Sequence, residues 1–391
     1  MTAGPVHQPI RRWSPIVIAL LVAVRVGLLV GVFVGYQSGL PRVLAGDTLR
    51  YRQIADARGR PYRDFQVEFP PVSLGMVEVV ATDTTGGTAA RLGAVQLALD
   101  LAIAAMLLAG WGQTAAVAYL VLGLPLIPFV YFRIDLLSVA LALGGVLLVE
   151  KRRDRLGGLA LSLAVLAKVW PIVVAPILLL SKRRRPVVWF GASLVAGIGA
   201  WTVWGGPSGL SQVGTFREAQ GWQIQSLIGS VYRLFSRSAV RLEAGADRVG
   251  VAPLWARGML VALIVTLVFL VWVRSAGCLE LADSVAPLTA VAVLLVLSPL
   301  LSPQYLTWLL PWAAISISRG ERIQAEIVAL AVLLSAFLVY QYGALVAGDT
   351  ASLLLAVLVN VSLVAIGAFG LLRLGGTRLE VGADKGDHHA G

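Results

Sequence analysis

The sequence predicts an all-α polytopic membrane protein, a bundle of about twelve transmembrane helices with two long polar loops on one face. Three observations predict it. Of 391 residues, 58% are hydrophobic and 14% charged, and the mean hydropathy is +0.82, a value soluble domains do not reach. Apolar runs near the ~20 residues a bilayer requires recur along the chain. Basic clusters recur where a positive-inside arrangement would put them on one side of a membrane. The net charge of +11 therefore points first to anionic lipid on the cytoplasmic side, not to nucleic acid.

The first span is expected at about Ser14 to Tyr36. Arg11 and Arg12 precede it, and because many apolar runs follow it reads as a span and not a cleaved signal. A polar loop, Gly46 to Pro71, comes next, then a semi-apolar piece, Val72 to Val80. Further spans are expected at about Arg91–Leu108, Thr114–Phe129 and Leu136–Val149. The last of these ends in the basic run Lys151 to Arg155. A block of apolar residues, Leu156 to Leu180, is followed by a second basic run, Lys182 to Arg185. One straight helix would put the two runs on opposite sides. A hairpin of two short helices turning near Lys168–Pro171 keeps both inside, and the proline supports the break.

A span at Pro186–Trp204 leads to the second long loop, Gly205 to Gly250. Spans at Pro253–Val273, Val285–Leu301, Gln304–Ser318, Ile323–Tyr342 and Ser352–Leu372 follow. Residues 1–372 thus form one transmembrane domain with outer loops at about 37–90 and 205–250, both carrying short amphipathic helices. Residues 373–391 form a polar cytoplasmic tail, and both termini lie inside.

The chain carries no Walker loop, no GxGxxG after a strand, no HExxH, no CxxC and no GxSxG. Its three histidines, His7, His388 and His389, lie in the tails, and Cys278 is the single cysteine. Histidine catalysis, a cysteine metal site and an intrachain disulfide are thereby excluded. A general base must be a carboxylate, and the carboxylates of the outer side concentrate in the first loop.

Asp47 leads that group, with Asp56, Asp64 and Glu68 beside it and arginines at 50, 52, 58, 60 and 63. Asp47 reads two ways that are compatible: as the N-cap of a short helix lying on the membrane, and as a base near an acceptor hydroxyl. Arg63, set between a proline and aromatics, suits a phosphate; lipid headgroups are the other reading of these arginines. Glu68 is either an exposed loop carboxylate or part of the site. Lys168 is the lysine inside an apolar block, too far from either end to snorkel, and such groups mark function. Arg25 and Asp100 read as interhelical polar contacts. Arg133 and Asp135 do too, or else face the cavity. The run SPQYLTWLLPW, Ser302 to Trp312, suits a sugar or an interfacial aromatic belt.

Taken in order, D-x3-Y at Asp47 and Tyr51, G-x-PYRDF-x2-EFPP at Gly59 to Pro71, the R-x-D turn at Arg133 to Asp135, AKVWPIVVAPILLL at Ala167 to Leu180 and SPQYLTWLLPW make the chain similar to a known family. It resembles the polyprenol-phosphate-mannose-dependent enzymes of glycosyltransferase family 87, within the GT-C superfamily. The resemblance implies a GT-C-type bundle, a catalytic aspartate that falls on Asp47, a lipid-phosphate sugar donor at the outer leaflet and inversion at the anomeric carbon. Some relatives place a histidine near the acceptor late in the chain; this chain has none there, so Gln304 or Tyr305 would have to substitute.

The expected reaction is transfer of mannose from a polyprenyl-phosphate donor to a glycolipid, lipoglycan or cell-wall glycan at the outer face of the plasma membrane. A family relative using another sugar, such as arabinose, and a sugar-lipid transporter or flippase are the alternatives. Asp47 is the expected base. Tyr51, Tyr62, Arg63, Asp64, Glu68, Arg133, Asp135, Lys168, Gln304 and Tyr305 are the expected substrate contacts. The scheme needs no cofactor and no metal, although Asp47 with Glu68 is a pair that could hold one.

Overall fold

The computed structural model describes residues 13–37, 42–214, 219–236 and 238–383. The chain opens with α1 (Pro15–Gln37), an apolar helix broken only by Arg25, and α2 (Arg42–Ala55), a short polar one. A loop returns the chain to α3 (Pro71–Val80), which starts on Pro70–Pro71 because proline at the first helical turn gives up an N–H that has no partner there. Then come α4 (Thr85–Trp111), capped by Thr84 Oγ1 accepting from Gly87 N at 3.0 Å, α5 (Gln113–Leu122) and the single turn α6 (Ile127–Val130).

Next, α7 (Asp135–Glu150) and α8 (Asp154–Ala167) lie back to back. They approach through glycine, since a Cβ at Gly157 would meet the Gly145 carbonyl at 2.9 Å, and the other side of α8 closes on the helix that follows the hairpin, where a Cβ at Gly158 would meet the Pro186 carbonyl at 2.5 Å. Small residues let helix backbones close up where lipid gives no hydrophobic drive. At Lys168 the backbone turns extended (φ −156°, ψ 135°), and a 3-10 turn at Trp170–Val173 leads to the one-turn helix α9 (Ile177–Leu180). The expected hairpin is therefore present. Its two ends meet: Arg183 pairs with Asp154 and donates to the Val149 carbonyl at 2.6 Å, so both basic runs sit at one end of the bundle.

The chain continues through α10 (Arg184–Gly205) and α11 (Pro207–Gly214) into the second long loop, then α12 (Leu227–Phe235). The bundle is completed by α13 (Leu254–Ser275), α14 (Val285–Leu297), α15 (Leu310–Ser318), α16 (Ile323–Tyr340), α17 (Tyr342–Ala347) and α18 (Thr350–Ala383). A 3-10 turn, Pro303–Trp308, joins α14 to α15.

Four expectations change. Among the described residues seven helices, not twelve, are long and apolar enough to cross a membrane. Expected spans such as those of α7, α14 and α15 are helices of 16, 13 and 9 residues whose side chains are mostly buried in protein, so they need not match the bilayer thickness. The protein is not purely helical: the second loop holds a three-stranded antiparallel sheet ordered β1-β3-β2, with β1 at Trp222–Gln223, β2 at Arg241–Glu243 and β3 at Ala246–Val249. The β2–β3 turn puts both Ala244 (φ 51°) and Gly245 (φ 78°) in the left-handed region that a tight hairpin demands. Asp47 does not cap α2; it lies in the helix interior. Finally, α18 continues past Leu372 to Ala383, so the last helix runs into the residues read as a polar tail.

Candidate active site

The site is assembled on the short turn that carries Arg133 and Asp135. Asp135 opens α7, where the helix dipole favours a carboxylate, and its side chain is 3% exposed. Lys168, placed at the break of the hairpin, reaches it: Nζ donates to Asp135 Oδ1 at 2.5 Å. Trp308 Nε1 donates to the same oxygen at 3.0 Å. The helix break frees the lysine stem to cross, because an extended residue does not lay its side chain along the preceding turn.

Aromatic rings close around this ammonium. Lys168 Nζ stands 4.6 Å from the Tyr305 ring centre and 5.2 Å from that of Trp308. Tyr305 stacks on Trp308 at 4.4 Å, and Trp170 stacks on its ring system at 5.2 Å with 9° between planes. Trp170 is fixed by its Nε1 donating to Ser138 Oγ at 2.9 Å. The rings stabilise the cation and offer flat apolar faces.

Arg133 turns the other way. Its Nε lies 3.1 Å from Asp47 Oδ2, and its guanidinium covers the Phe129 ring at 4.5 Å. Arg133 is buried, while the Asp47 side chain is 40% exposed. Tyr51, one turn further along α2, is buried and donates to Asp47 Oδ2 at 3.4 Å. Burial first, and then the Asp47 charge, push the Tyr51 phenol well above its ordinary value, so it is a neutral donor. The Tyr305 hydroxyl lies in the field of Asp135, Asp47, Arg248 and Arg133. The first loop and the hairpin therefore meet at one polar cluster, linked as Asp47–Arg133 and Asp135–Lys168.

The other expected residues frame the loop. Glu68 is gripped by Arg50 through Nε at 3.0 Å and Nη2 at 2.8 Å, a bidentate fork that ties the loop to α2 and is not an exposed carboxylate. Tyr62, at φ 68°, donates to the Phe69 carbonyl at 2.5 Å and packs on Trp201 and Trp204. Asp64 accepts from the Arg60 backbone N–H at 2.6 Å. Arg63 donates to the Val203 carbonyl at 2.7 Å, joining the end of α10 and not either ion pair of the cluster. Gln304 is buried and accepts from Ser302 Oγ. Asp47 and Glu68 each bond an arginine, and among the described residues no group of three His, Cys, Asp or Glu side chains is placed to hold a metal ion.

Sequence reasoning missed Trp170, Trp308 and Arg248 as individual members. The two tryptophans lie inside motifs that drew attention for other residues. Arg248 sits buried on β3, donating to the Gly221 carbonyl at 3.0 Å. The sheet is docked on the chain just before Tyr305, since Gln223 N donates to the Pro299 carbonyl at 3.1 Å. A four-residue strand in a polar loop leaves no periodicity to read.

A family model described as Glycosyltransferase family 87 matches residues 73–303, more than half of the chain. The chain belongs to glycosyltransferase family 87. It is a membrane glycosyltransferase of GT-C type, taking a sugar from a donor to a glycan acceptor. The match to family 87 takes in Arg133, Asp135, Lys168 and Arg248. Asp47 and Tyr305 stand outside it, joined to the matched part by the contacts above. No curated protein matches the chain.

Proposed function

We propose that this family 87 enzyme is a mannosyltransferase that uses a polyprenyl-phosphate-linked mannose at the outer face of the plasma membrane, inverts the anomeric carbon, and builds a glycolipid, lipoglycan or cell-wall glycan. The observation that carries the reading is the contrast between its two carboxylates. Asp135 is enclosed and neutralised by Lys168, whereas Asp47 keeps an open side toward solvent beside the same cluster. Two carboxylates in two environments suit two roles.

Asp47 takes the proton from the acceptor hydroxyl as that oxygen forms a bond to the anomeric carbon. The bond from the anomeric carbon to the phosphate oxygen breaks, and its electron pair leaves with the lipid phosphate. Arg133 holds the Asp47 carboxylate in place. Lys168, with N–H groups beyond the one given to Asp135, and Arg248 balance the charge that grows on the departing phosphate. The Tyr305, Trp308 and Trp170 rings suit the apolar face of a hexose. A site at the loop end of a membrane bundle, next to a hairpin of buried short helices, favours a donor that arrives in the bilayer.

The test is turnover of radiolabelled donors by the purified enzyme in detergent, comparing polyprenyl-phosphate mannose with the arabinose analogue and with nucleotide sugars. Asp47→Asn is expected to lower transfer about 10²–10⁴-fold, the usual worth of a positioned base. Transfer at the wild-type rate removes Asp47 from that role. Preference for the arabinose donor moves the assignment to another sugar, and absence of any product supports lipid transport instead.

A further inference from the structure

A cavity lies at the opposite end of α7 from the candidate active site. Asp135 opens this helix and Glu150 closes it, a separation of about 22 Å at 1.5 Å per residue. The cavity has a volume of about 230 Å³. Its polar lining is Glu150, Ser181, Glu280, Asp283 and Arg319, and Leu180 and Leu279 belong to its apolar wall. The helices α7 and α15 both end here, with Glu150 the last residue of one and Arg319 following the other. Carbonyl ends of helices carry partial negative charge, so the floor is negative before any side chain is counted.

Asp283 is 8% exposed. Its Oδ2 accepts from Arg319 Nη2 at 2.5 Å and Trp111 Nε1 at 2.8 Å. Among the described residues its Oδ1 is buried with no hydrogen-bond partner, and leaving a buried charged acceptor unsatisfied costs more than forming a bond gains. Glu150, exposed at the end of α7, has no hydrogen-bond partner among the described residues. Partial burial, and then the nearby Asp283 charge, raise its carboxyl above the ordinary value against the opposing pull of Arg319, Arg183 and Arg152. Asp283 is paired with Arg319, yet its Oδ1 and the Glu150 carboxylate remain acceptors open to a further donor, and no set of three ligands is placed for a metal ion among the described residues.

The rim has the opposite sign. Lys151, Arg152 and Arg153 follow Glu150, and Lys182 to Arg185 follow Ser181. Leu279 and Leu179, at and beside the mouth, are 49% and 63% exposed and extend the apolar wall outward. A ligand suited to this arrangement has a small ammonium, a phosphate beside it and an apolar body. We propose that the cavity is a binding site for the headgroup of an aminophospholipid, its primary ammonium hydrogen-bonded between Glu150 and Asp283 and its phosphate at Arg319 and the basic rim. This site is separate from the donor site and does not depend on which sugar the enzyme moves.

The test offers phosphatidylethanolamine, phosphatidylcholine and phosphatidylglycerol at equal mole fraction to the full-length protein in detergent, and counts retained lipid by native mass spectrometry. Phosphatidylethanolamine is expected to be retained at least fivefold over the other two. Glu150→Gln, which breaks no bond in the structure, and Leu180→Trp, which fills the cavity without changing charge, are expected to bring that ratio near one. Asp283→Asn is avoided, since it would also disturb Arg319 and Trp111. Equal retention of the three lipids, a preference for phosphatidylglycerol, or selectivity that survives both substitutions in folded protein overturns the proposal. Millimolar free phosphoethanolamine is expected to leave the lipid in place, and ready displacement by it overturns the lipid source.

Discussion

Lys168 and Asp135 are 33 positions apart in the chain and 2.5 Å apart in the fold. Their pairing sets the height at which the hairpin stops, and it holds the ammonium against Tyr305 and Trp308. Removing Lys168 alone leaves a carboxylate that is 3% exposed without its cation. Loss of one partner from a buried pair costs about 3–5 kcal/mol, and the 23% exposure of Lys168 favours the lower part of that range. Lys168→Met is therefore expected to lower the melting temperature in detergent and abolish transfer. Lys168→Met combined with Asp135→Asn is expected to recover most of the stability and none of the turnover. Transfer restored in the double variant would reduce the pair to a scaffold.

The glycine contact under the hairpin gives a separate prediction. A Cβ at Gly158 would lie 2.5 Å from the Pro186 carbonyl and 2.7 Å from the Phe190 nitrogen. Both obstacles are backbone, so the helices themselves must move. Gly158→Ala is expected to cost about 1–3 kcal/mol by overpacking, against about 1 kcal/mol gained in helix propensity, a net loss of up to about 2 kcal/mol. Thermal unfolding followed by tryptophan fluorescence measures the sum, and a stabilised variant would contradict the close approach of α8 and α10.

The loop sheet should respond to acid through Glu243. Burial pushes its carboxyl up, but the Gly221 backbone N–H, the Arg241 guanidinium and the Gln220 N–H together outweigh that and leave it lowered from 4.5. A depressed value in the folded state means the contribution is fully present above pH 4.5 and fades as pH falls through the folded value. Glu243 Oε2 holds the Gln220 and Gly221 amides at 3.0 and 2.9 Å, so those two amides are the reporters. Hydrogen exchange corrected for its intrinsic pH dependence should show them losing protection on acidification, and Glu243→Gln should remove the pH-dependent part. Unchanged protection down to the lowest pH tolerated by the detergent would argue that the sheet stands without this carboxylate.

Much of this architecture was legible because charges out of place are loud in an apolar chain. Lys168, Asp135, Arg25 and Asp100 each interrupt hydrophobic sequence, and each finds a partner in the bundle. The hairpin followed from two basic runs that could not lie on opposite sides. What was not legible is who pairs with whom. Arg133 and Asp135 are two residues apart, yet they turn to Asp47 and Lys168, a choice made by tertiary packing. Arg63, read as a phosphate ligand from its neighbours, donates to the Val203 carbonyl at the end of α10, a partner its neighbours in sequence do not reveal. Seven described helices have the length and hydropathy of a bilayer crossing, whereas α7, α14 and α15, read as spans from their apolar sequence, are shorter and mostly buried in protein. Strands of two to four residues carry too few positions for alternation to show, so the sheet and Arg248 stayed hidden.

Beneath the turn of Arg133 and Asp135, in the candidate site, lies a buried network that should control it from a distance. Arg25 Nη1 meets Asp100 Oδ2 at 2.6 Å, Tyr119 and Tyr131 donate to the same carboxylate at 2.6 and 2.7 Å, and Arg25 Nη2 reaches the Leu120 carbonyl at 2.7 Å. Tyr131 precedes Arg133 by two residues and Asp135 by four, so its hydroxyl ties the turn to the bundle interior. Asp100→Asn is expected to cost about 3–5 kcal/mol, because Arg25, 1% exposed, would be left charged and uncompensated. Stability and positioning are separated by Tyr131→Phe. That change keeps the ion pair, gives up one hydrogen bond to a charged group worth about 1.5–3 kcal/mol, and frees the turn. Transfer by Tyr131→Phe is expected to fall several-fold at saturating donor while the protein stays folded at the assay temperature. Full activity in that variant would mean that Asp47 and Lys168 alone hold Arg133 and Asp135 in register, and that the network beneath them serves only to keep the helices together.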